Sequence, residues 1–242
     1  MSEKWLTTKV VENRHWTDTL FSLRVEGAQL NFQAGQFVRI ALDIDGQRVA
    51  RAFSFVNPPQ DSTLEFYGVI VPEGPLSPRL AKLRAGDSLY VAGNPAGFLV
   101  LREVPDAETL WLISTGTGLA PFLSILRTET PWQRFKNVVV VHAVRHASEL
   151  AYREVIEATR ARYVTFVSRE ASAGSLSGRI PAAITDGRLE NAAGIALEPG
   201  TSHVMLCGNP QMLKDVQAVL VARGMRKHRR RTPGHITVES FW

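Results

Sequence analysis

The sequence predicts two domains of different class: an antiparallel β domain over residues 1–100 and an α/β domain with a parallel sheet over residues 101–242. The length supports two domains, because 242 residues, 45% of them hydrophobic, can form two separate cores. Apolar and polar side chains alternate in the first domain, whereas wholly apolar runs alternate with helical segments in the second.

Short strands of period two make up the first domain. Turn residues separate them, and Asp45-Gly46 between Ile44 and Gln47 predicts a tight hairpin. The predicted strands cover residues 19–25, 36–42, 63–71 and 88–92. Strands at this spacing are typical of either a barrel or a sandwich.

One predicted helix, within residues 74–83, interrupts these strands. Ser77 lies at its N-cap position and Pro78 at its first helical position. Because the N-terminal amides of a helix attract anions, this segment is either a well-capped helix or a phosphate site.

The second domain carries a glycine-rich turn after its first strand. The predicted strands are residues 109–114, 137–144, 163–167 and 203–207, and the predicted helices are residues 122–127, 148–162 and 210–223. Gly116-Thr117-Gly118, followed by Pro121, joins the first strand to the first helix. Glycines at such a turn let the backbone approach a dinucleotide phosphate.

Arginines follow three segments of the second domain. Arg145 and Arg169 come directly after predicted strands, and Arg179 lies ten residues beyond Arg169. Each arginine alone could be an ordinary surface residue. Residues just past the ends of parallel strands converge on one crevice, however, and there a guanidinium suits a ribose 2′-phosphate.

The segment Arg51-Ala52-Phe53-Ser54 places a cation, a ring and a hydroxyl within four residues. In an extended chain Arg51 and Phe53 share a face and Ser54 points to the other. The segment therefore offers a charge for phosphate, a surface for a ring and a hydrogen bond for a ring edge. Alone, it could also be an edge strand with one solvated arginine.

Together these motifs resemble the ferredoxin–NADP reductase family over the whole chain, and particularly its bacterial ferredoxin/flavodoxin–NADP reductases. The resemblance implies an FAD-binding antiparallel β-barrel followed by a parallel-sheet, Rossmann-like NADP-binding domain whose C-terminal tail returns to the flavin. It also implies that NADPH passes a hydride to FAD, which gives single electrons to ferredoxin or flavodoxin. The open alternatives are an NAD(P)H reductase of free flavins or quinones, a flavoprotein subunit of a larger complex, and a basic nucleic-acid-binding module.

The resemblance also assigns site residues. For FAD they are Arg51, Ala52, Phe53, Ser54, Val69, Gly74, Leu76, Ser77, Thr117, Phe241 and Trp242. For NADP they are Gly116, Thr117, Gly118, Pro121, Arg145, Arg169, Arg179, Cys207 and Gly208. The catalytic residues are Ser54, Cys207, Glu239 and Phe241. Without the resemblance, Cys207 could be a small buried hydrophobe and Glu239 a solvated carboxylate.

Two aromatic positions depart from the family pattern, because Phe53 and Phe241 stand where the family usually has tyrosines. Stacking on the flavin survives this change, but the phenolic hydrogen bond at position 53 does not, which costs about 1 kcal/mol. We expect Phe241 to stack on the isoalloxazine where nicotinamide must land, and Trp242 to cover the adenine of FAD.

Composition limits the remaining possibilities. Cys207 is the only cysteine, so neither an internal disulfide nor a four-cysteine iron–sulfur cluster can form, and the six scattered histidines predict no metal site. The net charge of +5, with the basic run at residues 226–231, suits either a solvated loop or an acidic electron carrier better than nucleic acid. With no apolar run near ~18 residues and no signal peptide, we expect a cytoplasmic monomer that binds no membrane.

Overall fold

The computed structural model describes residues 4–240. The chain forms two compact units: residues up to 100 together with 120–127, and residues 101–119 together with those from 128 onward. Residues 120–127 belong with the first unit because Ser124 Oγ donates to Asn57 O (2.7 Å) and Arg127 pairs with Glu65 (3.0 Å). The predicted division at residue 100, which assigns this segment to the second domain, stays a prediction.

The first unit is an antiparallel barrel, as predicted. Its strands and helices are β1 (Trp5–His15), β2 (Leu20–Glu26), β3 (Phe37–Ile44), β4 (Gln47–Ser54), β5 (Leu64–Val69), α1 (Ser77–Leu80), β6 (Ser88–Ala92) and α2 (Ala120–Leu126). The sheet order is β4-β3-β6-β1-β2-β5. Its two ends meet where Phe55 bridges Phe66 and Val56 N donates to Glu65 O (2.8 Å), which leaves few unpaired backbone groups there.

The hairpin predicted at Asp45-Gly46 is confirmed. Strands β3 and β4 pair up to Ile44 and Gln47, and the two turn residues have φ values of 51° and 77°. Positive φ at both central positions matches the twist of the flanking strands, which is why Asp-Gly is favoured there.

The second unit is a parallel sheet with helices, also as predicted. Its elements are β7 (Thr109–Thr115), α3 (Thr130–Arg134), β8 (Asn137–Val144), α4 (Arg153–Glu157), β9 (Arg162–Val167), β10 (Leu176–Ser177), α5 (Ile180–Thr185), α6 (Arg188–Ala193), β11 (Ser202–Gly208), α7 (Pro210–Ala222) and β12 (Ile236–Ser240). The sheet order is β10-β9-β8-β7-β11-β12. The chain therefore reverses direction across the sheet between β7 and β11, the position at which ligands bind in such folds.

One predicted helix of the second unit is wrong in extent. Residues 148–162 form a 3₁₀ turn at Ala147–Glu149 and the short helix α4, rather than one continuous helix. Tyr152 interrupts them with a left-handed backbone (φ 58°). Its side chain is buried, so tertiary packing outweighs the local helical pattern. Within residues 4–240, no helix combines the length and apolarity needed to cross a membrane.

Candidate cofactor sites

The end of β4 presents the segment Arg51–Ser54 as the sequence predicts. Arg51 and Ala52 are exposed, and Arg51 Nη1 donates to Ala50 O (2.7 Å) along its own strand. Ser54 is only 3% exposed, and its Oγ has no hydrogen-bond partner among the described residues. Because a buried hydroxyl without a partner costs free energy, Ser54 is suited to hydrogen-bond a bound group.

Phe53 is held beside Ser54 by the neighbouring strand β5. Its ring meets Phe66 edge to face, with centroids 6.4 Å apart and planes at 75°. A Cβ on Gly68 would lie 3.0 Å from the Phe53 ring, so a larger residue at position 68 would crowd the ring. Val69 follows at the end of β5 and is partly exposed.

The turn before α1 differs from its predicted capping. Ser77 is the first helical residue, and Leu76, which is buried, takes the N-cap position without a side-chain cap. The N-cap prediction for Ser77 is therefore wrong. The hydroxyl instead accepts a hydrogen bond from Val71 N (2.9 Å), and Gly74 N donates to Val71 O (2.8 Å). The helix has one turn only, and the Ser77 hydroxyl fixes the preceding loop.

Asn13, which was not among the predicted site residues, forms hydrogen bonds to the chain at the end of α1. Asn13 Nδ2, on β1, lies 2.8–3.1 Å from the carbonyls of Leu80, Ala81 and Leu83. These carbonyls lie at and just beyond the end of α1, where the chain leaves the helix and a helix has carbonyls without helical partners. The signal in the sequence was a polar residue at a partly buried position of a strand.

In the second unit, the end of β7 and the turn that follows it lie against the end of β11. Gly116, Thr117 and Gly118 form a 3₁₀ turn that runs into α2, where Pro121 is the second residue. A Cβ on Gly118 would lie 2.5 Å from Cys207 O. Gly208 has φ +132°, and a Cβ there would meet the backbone of Thr115. The two glycines thus permit a close approach at the point where the sheet order reverses.

Thr115, at the end of β7, connects this strand to the residue that precedes α7, a role that the sequence did not predict. Its Oγ1 accepts a hydrogen bond from Asn209 N (2.8 Å). Asn209 Oδ1 in turn accepts from Gln211 N and Met212 N, which caps α7. The Asn-Pro start of the helix was the available signal.

Cys207 and Glu239 occupy paired positions on the neighbouring strands β11 and β12. Burial, and secondarily the charge of Glu239, raises the pKa of the Cys207 thiol well above its usual value. The thiol is therefore protonated at neutral pH, which agrees with a packing role and not with nucleophilic attack.

The three predicted arginines lie at the carboxyl edge of adjacent strands β8, β9 and β10. Arg169 N donates to Arg145 O (2.9 Å), so their main chains continue the strand pairing. Ser177 pairs with Val167, and Arg169 and Arg179 each lie two residues beyond these positions. All three arginines are exposed. Only the sheet could bring residues 145, 169 and 179 to one edge.

Two carboxylates, missed from sequence, hold the turn that carries Arg145. Glu149 accepts from Arg145 N (2.8 Å) and His146 N (3.1 Å). Glu170 accepts from Ala147 N (2.7 Å), and this hydrogen bond is the main reason that its pKa lies below the usual value.

Phe241 and Trp242 lie outside the described residues, so their assigned contacts stay predictions.

The residues present fit the two cofactors that the resemblance implies. Ser54 offers a buried unsatisfied hydroxyl for a flavin, and Arg51 an exposed guanidinium for phosphate. Gly116 has φ +52° with open space where a Cβ would project, which suits a dinucleotide that approaches the main chain.

Comparison with known proteins agrees with this geometry. Residues 5–99 match the oxidoreductase FAD-binding domain family, and residues 112–218 match the oxidoreductase NAD-binding domain family. A structure of a ferredoxin NADP+ reductase from Neisseria gonorrhoeae with bound FAD and NADP superposes with a TM-score of 0.96. It is 34% identical, and 99% of each chain is covered.

Curated relatives point the same way. Flavodoxin/ferredoxin–NADP reductases from Shigella flexneri and Escherichia coli (strain K12) are 53% and 52% identical. In both comparisons the match covers 98% of this chain and 99% of the relative. The chain belongs to the flavodoxin/ferredoxin–NADP reductase family.

Proposed function

We propose that this chain is an FAD-dependent reductase that moves electrons between NADPH and a one-electron carrier, ferredoxin or flavodoxin. The observation that carries the proposal is the full-length similarity, above 50% identity, to reductases of that name. FAD, when bound, accepts a hydride and releases single electrons, which no protein side chain can do. The chain contributes binding, orientation and electrostatics.

In the barrel, Arg51 binds the diphosphate of FAD, with Gly74, Leu76 and Ser77 supplying the adjoining turn. Phe53 packs against the flavin, and Ser54 Oγ hydrogen-bonds its edge. The support for this arrangement is the unsatisfied, buried Ser54 hydroxyl beside a ring that Phe66 and Gly68 hold in place. Ala52 and Val69 line the same strand ends.

In the α/β unit, the turn Gly116–Gly118 receives the nucleotide, with Pro121 directing the chain into α2. Arg169 and Arg179, with Arg145 beside them, bind the 2′-phosphate and so select NADPH over NADH. Cys207 and Gly208 lie where the nicotinamide reacts, and the neutral thiol packs against it. Glu239 is next to this thiol and can hold or relay a proton there.

The carrier is acidic and docks on basic residues of the run at 226–231. Arg226, Lys227, Arg229 and Arg231 are exposed and leave their charges available to a partner. Arg230 forms a bidentate ion pair with Glu103 (3.0 and 3.1 Å), which anchors the run. A basic surface steers an acidic partner and raises the association rate at low salt.

We also propose that the reductase is a monomer and that it works in the cytoplasm, the compartment that holds NADPH and mobile carriers.

The test is anaerobic stopped-flow reduction of the purified holoenzyme by NADPH and by NADH, followed by mixing with oxidised ferredoxin or flavodoxin. We expect the flavin absorbance to bleach faster with NADPH and to return when the carrier is added. FAD lost on gel filtration, with free flavin or quinone reduced instead, would favour the alternative reductase. A purified protein that neither retains added FAD nor reduces free flavins or quinones with NAD(P)H would reject both.

A further inference from the structure

His142 is a polar side chain in the interior of the parallel sheet. It lies on β8, between Ser114 of β7 and Thr165 of β9, and is 0% exposed. The preceding residues Val138–Val141 are apolar and buried. A buried imidazole at this depth needs hydrogen-bond partners, and the identity of those partners indicates what it does.

One ring nitrogen reaches the nucleotide loop. Nε2 lies 3.2 Å from Gly116 O, and Nδ1 lies 3.4 Å from the hydroxyl of Tyr163 on β9. A carbonyl oxygen can only accept a hydrogen bond, so Nε2 must carry the proton. Nδ1 is then the acceptor and Tyr163 its donor, which fixes the tautomer.

Burial keeps the ring in this neutral form. Desolvation lowers the pKa of His142 to about 4, although the Gly116 carbonyl favours the protonated ring. Across the physiological range His142 is therefore a neutral donor of fixed direction.

The carbonyl that His142 holds belongs to the first peptide of the nucleotide loop. This peptide is planar and trans, so its C=O and the N–H of Thr117 point in opposite directions. Gly116 has a left-handed backbone (φ +52°) at the start of the 3₁₀ turn, and because glycine has no Cβ, more orientations of this peptide are accessible to it than to another residue. Because Gly116 O contacts His142 in the sheet, Thr117 N–H points away from that side chain.

We propose that His142 is a positioning residue that fixes the 116–117 peptide, so that Thr117 N–H faces the incoming dinucleotide phosphate. The inference rests on the proposed function, because it names a determinant of NADP(H) binding. His142 does not touch the nucleotide itself. A backbone donor aimed in advance binds phosphate more tightly, since no ordering cost remains at the moment of binding.

The decisive variants are H142L and H142Q, prepared as holoenzymes with FAD. Leucine removes the donor, whereas the amide nitrogen of glutamine can take the place of Nε2. We expect H142L to weaken NADP+ binding about tenfold, the factor produced by loss of one hydrogen bond, while H142Q recovers to within about threefold of wild type. Flavin difference spectra measure the affinity, and FAD retention serves as a check on the barrel.

The matched control is H203L. His203 is equally buried, but its Nε2 bonds Thr237 Oγ1 (2.9 Å) at the opposite end of β11 from Gly208. H203L should lower the melting temperature and leave NADP+ affinity within twofold of wild type. Equal affinity losses in H203L, H142L and H142Q would show general destabilisation and overturn the proposal. If H142L does not fold, H142N replaces it. The asparagine amide is shorter than that of glutamine and extends only as far as Nδ1 does, so it cannot donate to Gly116 O in place of Nε2.

A second measurement is independent of nucleotide binding. Nitrogen chemical shifts of His142 should report the Nε2–H tautomer, and a crystal structure of H142L should show the 116–117 peptide rotated. An Nδ1–H tautomer, or an unchanged peptide in H142L, would overturn the proposal even if NADP+ binding fell. A wild type that binds no NADP+ would reject the proposed function, and the peptide orientation would still decide the role of His142.

Discussion

Gly118 faces the main-chain carbonyl of Cys207 so closely that a Cβ on residue 118 would lie 2.5 Å from that oxygen. The contact joins the turn after β7 to the end of β11, where the sheet order reverses. A side chain at 118 must therefore push this turn away from the end of β11.

The first prediction is that Gly118→Ala destabilises the protein by about 1–3 kcal/mol, the usual range for overpacking. It should also weaken NADP+ binding, because the loop carrying Thr117 must shift. Thermal unfolding and NADP+ titration measure the two effects. Gly200→Ala is the matched control, since no atom lies within 4 Å of a Cβ there. Identical stability for both variants would contradict the close approach.

The second prediction concerns the exposed guanidinium of Arg51. Arg51→Ala should weaken FAD binding by about 2 kcal/mol through loss of a charge-assisted phosphate contact. Fluorescence of released FAD on dilution measures the dissociation constant. Arg24→Ala is the control, because Arg24 is an exposed arginine of the same barrel that pairs with Glu12. An Arg51→Ala variant that retains FAD as wild type does would place the diphosphate elsewhere.

The third prediction concerns the buried hydroxyl of Ser54. Ser54→Ala removes a hydroxyl that has no partner among residues 4–240, so it should not lower stability by more than about 1 kcal/mol. If Ser54 hydrogen-bonds the flavin edge, hydride transfer should slow while the protein stays yellow. Single-turnover reduction by saturating NADPH measures this rate. Loss of FAD without any slowing would instead assign Ser54 to cofactor binding alone.

The fourth prediction concerns nucleotide choice at the edge formed by β9 and β10. Replacing Arg169 and Arg179 with alanine should raise KM for NADPH far more than KM for NADH, because only NADPH has the 2′-phosphate. Steady-state kinetics with both nucleotides test this. Arg153→Ala, which breaks an exposed pair with Glu157 in the same unit, is the control. Equal rises for the two nucleotides would make these arginines general structural residues.

The fifth prediction concerns acid stability. Burial, and secondarily the charges of His228 and His235, lowers the pKa of His203 from 6.5 to about 3. As pH falls below 6.5, His203 becomes protonated in the unfolded chain but stays neutral in the folded chain, so the free energy of unfolding falls. The free energy of unfolding should fall by on the order of a few kcal/mol between pH 7.5 and 4.5 because of His203, and His203→Gln should remove this part of the pH dependence. Urea unfolding across this pH range measures it. Parallel curves for variant and wild type would mean that His203 titrates normally.

The regular parts of the fold follow from local pattern. Strand β6 has the predicted bounds, residues 88–92, and the Asp45-Gly46 hairpin is confirmed. Both depend on side-chain alternation and backbone preferences within a few residues. The helix predicted at 148–162 fails for the converse reason, because burial of Tyr152 forces a left-handed residue into it.

Sequence alone indicated the cofactor class, since the Arg51–Ser54 segment and the Gly116–Gly118 turn are each contiguous and their resemblance to a family could be recognised from residue type and order. Only the tertiary structure decided which distant groups support them. Asn13 under α1, Thr115 against Asn209, and His142 on Gly116 are each joined by hydrogen bonds. Such partners are separated by tens of residues, and parallel strand pairing leaves no local signature of which side chains will meet. A lone histidine among valines becomes informative only when the sheet shows which carbonyl it reaches.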